Sequence, residues 1–423
     1  MKLTLYLLLL YSLFVQPAFA QFGMGGPPHP SAVLDLKSPT NDKGFYPPRL
    51  TTVQRKAITN AQPGMFVYDL DQNTFYLFDG ANWLPLAFQH PASIMPTTRL
   101  ASDGVAGDNF GFRVAISGDY ALVGASGKTI GSNTNQGAAY VFVRSGSSWT
   151  QQERLTASDG ALDDAFGSVA ISGDYALVGA SNKTIGSNDN QGAAYVFVWS
   201  GSSWTQQARL TASDGAASDR FGYSVAISRN YALVGAYDKT IFSTPYQGAA
   251  YIFQESSFVF PRTWPQRAKL TASDGASGDL FGFSVAILGD YALVGAAGKN
   301  IDSNGTQGAA YVFVRSGSSW TQQARLTASD GAARDRFGIS VAISGNYALV
   351  GAYDKTIGSN NKQGAAYVFV RNGTTWPQLR AITDNSPADT YNGSVGLSNG
   401  AFIIGGRGFQ NDQGKVSFGV VDN

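Results

Sequence analysis

The chain has 423 residues, with 30 Lys and Arg against 29 Asp and Glu, and no cysteine. A formal charge of +1 supplies no global field to draw in nucleic acid or an anionic membrane surface, and the lack of cysteine rules out a disulfide framework, so stability must come from core burial. Fifty glycines and 13% aromatic residues, with turn signals at regular spacing, point to an all-β fold.

Residues 1–20 read as a secretory signal. Lys2 is the charged end, Leu3 to Phe14 is an apolar run too short for an ordinary membrane span, and Ala18-Phe19-Ala20 is a small-x-small cleavage site. The signal holds one lysine and no acid, which leaves 29 basic and 29 acidic residues after cleavage near Ala20. No later stretch reads as a transmembrane segment, so the mature chain is expected to be secreted or held at the cell surface. Residues 21–31 form a Pro/Gly-rich flexible leader. Residues 32–90 read as a small module, in which Thr52 is placed to cap a short helix over 53–58 and residues 65–69 and 74–78 form a hairpin.

From residue 91 to 423 a block of about 56 residues recurs six times. Its Phe-Gly anchors begin at Phe110, Phe166, Phe221, Phe281 and Phe337, and a worn sixth copy is anchored at Tyr391. Each copy holds four strand-like runs. The first two are joined by pairs such as Gly118-Asp119 and Gly345-Asn346, which favour tight hairpins, whereas Arg229-Asn230 breaks that pattern. The second and third runs are apolar on both faces and the fourth is mostly polar. A β-propeller blade has these traits: inner strands sandwiched between neighbouring blades and a solvated outer edge. The sixth copy lacks its fourth run, while residues 94–100 match that run with nothing before them. A six-bladed propeller closed by this N-terminal strand is therefore expected. The alternative is seven blades, with residues 61–88 as a divergent blade.

The segments F-G-x-S-V-A, V-G-A and G-A-A-Y-V-F resemble the FG-GAP repeats of integrin alpha-chain propellers and many bacterial surface proteins. The resemblance covers residues 101 to about 420 and implies a propeller with an extracellular binding or adhesive role. Calcium-binding members carry a D-x-D-x-D-G type loop between the first two strands. Here that place holds only Ser117-Gly118-Asp119 or its equivalents, so no metal and no other cofactor is expected. Ala32 to Lys37, Gly44 to Thr52, Val67 to Asp71, Tyr76 to Gly80 and Trp83 resemble a module common in secreted and surface proteins of Bacteroidetes-type bacteria.

Every copy carries two aspartates five residues apart: Asp103/Asp108, Asp159/Asp164, Asp214/Asp219, Asp274/Asp279, Asp330/Asp335 and Asp384/Asp389. They read either as paired carboxylates for metal or acid–base work, or as turn organisers that accept backbone N–H groups. Their sixfold repetition favours the turns. Lys128, Lys183, Lys239, Lys299 and Lys355 recur in the loops after the second run. They are expected to share a rim with the aspartates, as solvated ion pairs or as part of a ligand-binding face. The third copy breaks the pattern with Phe242 and Tyr246 on that rim and with Phe258 and Phe260 in a longer loop on the opposite face. Exposed aromatics there are candidate contact anchors for a protein or glycan or local packing under a longer loop. No G-x-S-x-G, H-E-x-x-H or cysteine nucleophile is present. A non-catalytic binding protein is the expectation; a propeller glycoside hydrolase and a component of an extracellular fibre or assembly are the alternatives.

Overall fold

A computed structural model of the chain describes residues 23–24, 35–36, 48–72, 74–85, 98–146, 148–256, 262–383, 390, 392–398, 400–406 and 415–421. The signal segment lies outside the described residues. Two compact units divide the chain, residues 1–95 and 96–423.

In the first unit a short parallel pair, β1 (Gly23–Met24) and β2 (Asp35–Leu36), precedes a four-stranded sheet. Its strands are β3 (Arg49–Leu50), β4 (Phe66–Asp69), β5 (Thr74–Phe78) and β6 (Trp83–Pro85), with helix α1 (Thr52–Lys56) after β3. The expected hairpin is β4–β5. The helix cap is Thr51 instead of Thr52: the Thr51 hydroxyl accepts the Gln54 N–H while the Gln54 side chain accepts the Thr51 N–H, a reciprocal capping box. The Thr52 hydroxyl is thereby free to donate to Asp69, at 2.9 Å. Asp69 is fully buried and ion-paired to buried Arg55 at 2.7 Å, and the Arg55 guanidinium lies 3.6 Å from the centre of the Tyr76 ring. Because β3 runs parallel to β4, this sheet differs from the antiparallel meander of the repeats. Residues 66–69, 74–78 and 83–85 supply three of its strands.

The second unit contains six antiparallel sheets in chain order: β7–β10 (110–155), β11–β14 (166–210), β15–β18 (224–270), β19–β22 (281–326), β23–β26 (337–382) and β27–β29 (392–420). Among the described residues all but the last have four strands, and each is a simple meander. The pattern is that of propeller blades. The third strands of the first five sheets are apolar on both faces, as strands packed between layers are, and their tyrosines Tyr140, Tyr195, Tyr251, Tyr311 and Tyr367 are fully buried. The hairpin between first and second strands has positive φ at Gly118, Gly173, Gly289 and Gly345, and also at Arg229, where φ is 55°. Arg229 thus takes the same turn as the glycines, its backbone conformation imposed by the sheet.

Adjacent sheets interlock through backbone. Glycines in the second strands (Gly124, Gly179, Gly235, Gly295 and Gly351) sit against the carbonyl oxygens of Gly167, Gly222, Gly282, Gly338 and Gly393 of the next sheet. A methyl group at Gly295 would lie 2.0 Å from the Gly338 oxygen, so only glycine permits this approach. Isolated parallel bridges join Gly137 to Phe166, Gly192 to Phe221, Gly248 to Phe281, Gly308 to Phe337 and Gly364 to Asn392. The last bridge corrects the sixth anchor: Asn392-Gly393, not Tyr391-Asn392, stands in the Phe-Gly position. Residues 94–97 of the expected closing strand lie outside the described residues, and 98–100 are not in a strand. The sixth sheet therefore has three strands among the described residues.

Candidate binding loops

The repeated lysines and aspartates meet at one end of each of the first five sheets. Lys128, Lys183, Lys239, Lys299 and Lys355 donate to Asp108, Asp164, Asp219, Asp279 and Asp335 at 3.0, 2.9, 2.7, 2.9 and 2.9 Å. Each ammonium also donates to the main-chain carbonyl of the first aspartate of its copy. The second aspartates accept backbone N–H groups as well, from Val105, Ala161, Ala216, Ala276 and Ala332. All five lysines are only 4–6% exposed. They are desolvated internal clamps, contrary to the expected solvated rim, and they present no surface to a ligand. Each buried amino group is paired and hydrogen-bonded, as a buried polar group requires.

The first aspartates are held as tightly. Asp103, Asp159, Asp214, Asp274 and Asp330 accept the hydroxyls of Tyr140, Tyr195, Tyr251, Tyr311 and Tyr367 at 2.7–2.8 Å. In the first four copies an outer-strand cation, Arg154, Arg209, Lys269 or Arg325, joins them. Burial alone would raise these four carboxyls, but the tyrosine and cation bonds outweigh it and hold Asp103, Asp159, Asp214 and Asp274 below the usual range. For Asp279 burial prevails over Lys299 and the carboxyl is raised. The described aspartate pairs thus act as loop organisers within the fold. Asp384 and Asp389 lie outside the described residues.

The departures from the repeat face solvent. Phe242 is wholly exposed at φ 53°, in the position where three other copies place Gly131, Gly186 and Gly358 at φ 59–60°. A bulky residue in left-handed backbone costs about 1–2 kcal/mol, and packing does not offset that at a side chain with no cover. Tyr246, at φ 54°, is 55% exposed on the same loop. Phe258 and Phe260 lie outside the described residues. An aromatic cluster escaped the sequence reading: Tyr223, Tyr237 and Phe283 have ring centres 4.4–5.4 Å apart, and the Arg113 guanidinium of the first copy is 5.9 Å from the Tyr223 ring of the third. The available signal was a residue inserted between Phe-Gly and the next strand position, present as Phe112, Tyr223, Phe283 and Ile339 and absent after Gly167 and Gly393. In the fifth copy Arg334, Arg336 and Lys362 line a cleft of 450 Å³, with Arg336 paired to Asp354 at 3.1 Å. Among the described residues no three His, Asp, Glu or Cys side chains are grouped to hold a metal, and no helix is long and apolar enough to cross a membrane.

Five stretches, residues 99–142, 149–197, 204–253, 264–313 and 320–369, match the family model of the FG-GAP repeat. Residues 23–100 match the model of the phage tail like trimerisation region. No curated protein matches the chain.

Proposed function

Because the chain belongs to the FG-GAP repeat family, we propose that it is a secreted or surface-displayed β-propeller that binds a protein or glycan through its loops without catalysing a reaction. The observation that carries this reading is the division of labour among side chains. The repeated ionisable groups of the first five copies are consumed in internal clamps, while the residues that differ between copies, Phe242 above all, are exposed on rigid loops. Loops on a rigid scaffold are where recognition is usually built. Residues 1–20, read as a signal, support an extracellular site of action. A glycan array and a cell-surface pull-down with the mature protein test it. We expect a specific signal that Phe242→Ser weakens; silence in both assays, or turnover of a captured glycan, overturns it.

The match of residues 23–100 to a trimerisation region favours a second element of the proposal: the binding unit is displayed three to an assembly. Three weak sites on one body gain avidity without new contacts, which also suits a part in an extracellular fibre. Light scattering on the mature protein should give three times the chain mass, and a monomeric mass removes this element.

A further inference from the structure

The outer strand of each four-stranded repeat sheet carries a one-residue bulge, which falls at Gln152, Gln207, Arg267 and Gln323 in the first four copies. A bulge re-aims its side chain. At three of these places it directs a glutamine oxygen to the indole N–H of the next sheet: Gln152 to Trp204 at 3.2 Å, Gln207 to Trp264 at 2.6 Å and Gln323 to Trp376 at 2.8 Å. The fourth link is broken. Arg267 offers only donors, and Trp320 Nε1 is buried with no hydrogen-bond partner. Beside it the Nε of Arg315 is buried and unpartnered too, although Asp290 and the Gly317 carbonyl take its terminal nitrogens.

A cleft of 340 Å³ opens at this place, lined by Tyr231, Gln254, Arg267, Arg315, Ser318 and Trp320. The Arg315 guanidinium lies 5.1 Å from the Tyr231 ring centre, and the Tyr231 and Trp320 rings are 6.2 Å apart and close to perpendicular, at 71°. The cleft therefore brings two guanidinium groups, one of them shared with Asp290, to aromatic walls, with the Gln254 amide and the Ser318 hydroxyl as further polar groups. Leaving a buried donor unmade costs stability, and glutamine at 267 would avoid that cost, as it does in the neighbouring copies. Guanidinium groups match carboxylate geometry, and the flat aromatic faces suit the C–H face of a pyranose. We propose that this cleft binds an acidic sugar residue, its carboxylate held by Arg267 and Arg315 and its ring against Trp320 and Tyr231. The proposal rests on the binding reading above and gives it a site and a ligand class.

The test is calorimetric titration of the mature protein with glucuronate, glucose and N-acetylglutamate amide, beside the variant Arg267→Gln. Glucuronate should bind saturably and glucose should not. Arg267→Gln restores the acceptor for Trp320, so it should keep or raise the melting temperature while weakening glucuronate at least tenfold. Absence of saturable glucuronate binding, equal binding of glucose, or an unchanged affinity in Arg267→Gln overturns the site. Tighter binding of N-acetylglutamate amide points to an acidic peptide and overturns the sugar. A glycan-array signal that survives Arg267→Gln refutes this site and leaves the binding function standing. Glucuronate binding with silence on array and cells does the reverse.

Discussion

Sheets two to five and the two end sheets are built from the same pattern, yet the same positions meet different surroundings. In the second strand of the fifth sheet, Gly351 is pressed against the Gly393 oxygen of its neighbour, where a methyl group would sit 1.9 Å away. Its counterpart in the sixth sheet, Gly405, would place that methyl 3.5 Å from its own sheet's Ser394. The first strand of sheet one leaves Val114 and Ile116 about two-thirds exposed (68% and 67%), and the last strand of sheet six leaves Phe418 79% exposed. At the matching places inside the array, Val169, Ile171, Ile227, Ile287, Val341 and Val368 are buried, and Val225, Val285 and Ile343 are half-buried. A residue's contribution is thus set by the interface it enters and not by its place in the repeat, the expected energetics of stacked units that touch only their neighbours.

Substitutions at sealed and exposed positions can break this comparison. Phe337→Ala, at a fully buried side chain, should cost about 3–5 kcal/mol in denaturant melts, whereas Phe418→Ala should stay within about 0.5 kcal/mol. A large loss at Phe418 would mean that the end face is covered in solution. Gly295→Ala should cost about 1–3 kcal/mol or more by overpacking, and Gly405→Ala should be close to neutral. Equal losses would show that the sixth sheet abuts another sheet as the inner ones do, which closure of a ring requires.

Acid should act on the clamped copies first. The folded-state carboxyls of Asp159, Asp214 and Asp274 are depressed, so their stabilisation is complete above the unfolded pKa of about 3.9 and is lost as pH falls through the lower folded values. These carboxyls should make the melting temperature drop below about pH 4, against an opposite contribution from Asp279, whose raised carboxyl favours the fold as pH falls, and Asp274→Asn should flatten the drop. The sixth copy has Ser417 in place of the clamping tyrosine, so hydrogen exchange in its strands should not respond in the same range. The smallest effect expected is that of a chelator. Each of the first five copies places a lysine ammonium between its two aspartates, and EDTA should leave the melt where it was; a downward shift would expose a bound ion.

Much of the fold was legible because period and turn chemistry are local. The four runs per copy, the Gly-Asp hairpins and the polar outer strand all follow from residues within a few positions of one another. The clamp was not legible. Lys183 and Asp164 are 19 residues apart, and a lysine in a polar loop looks the same in sequence whether its ammonium is solvated or enclosed. Only the closure of two loops over it decides. The sixth anchor slipped by one residue because Tyr391 resembles phenylalanine, while the register depends on which residue can bridge to Gly364. The Trp–Gln links escaped for a related reason: the bulge that aims Gln207 at Trp264 is invisible without the pairing of the strands. Thr51 and Thr52 were confused because both are good caps and the deciding partner is the Gln54 side chain.

The enclosed lysine also bears on how such arrays change length. Each of the first five copies brings a cation and the carboxylates that neutralise it inside its own sheet. A copy gained or lost by duplication therefore carries its countercharge with it and leaves no stranded buried ion in its neighbours. Growth by whole units needs no compensating change elsewhere in the chain. Diversification is then free to proceed on the loop positions that the clamp does not use.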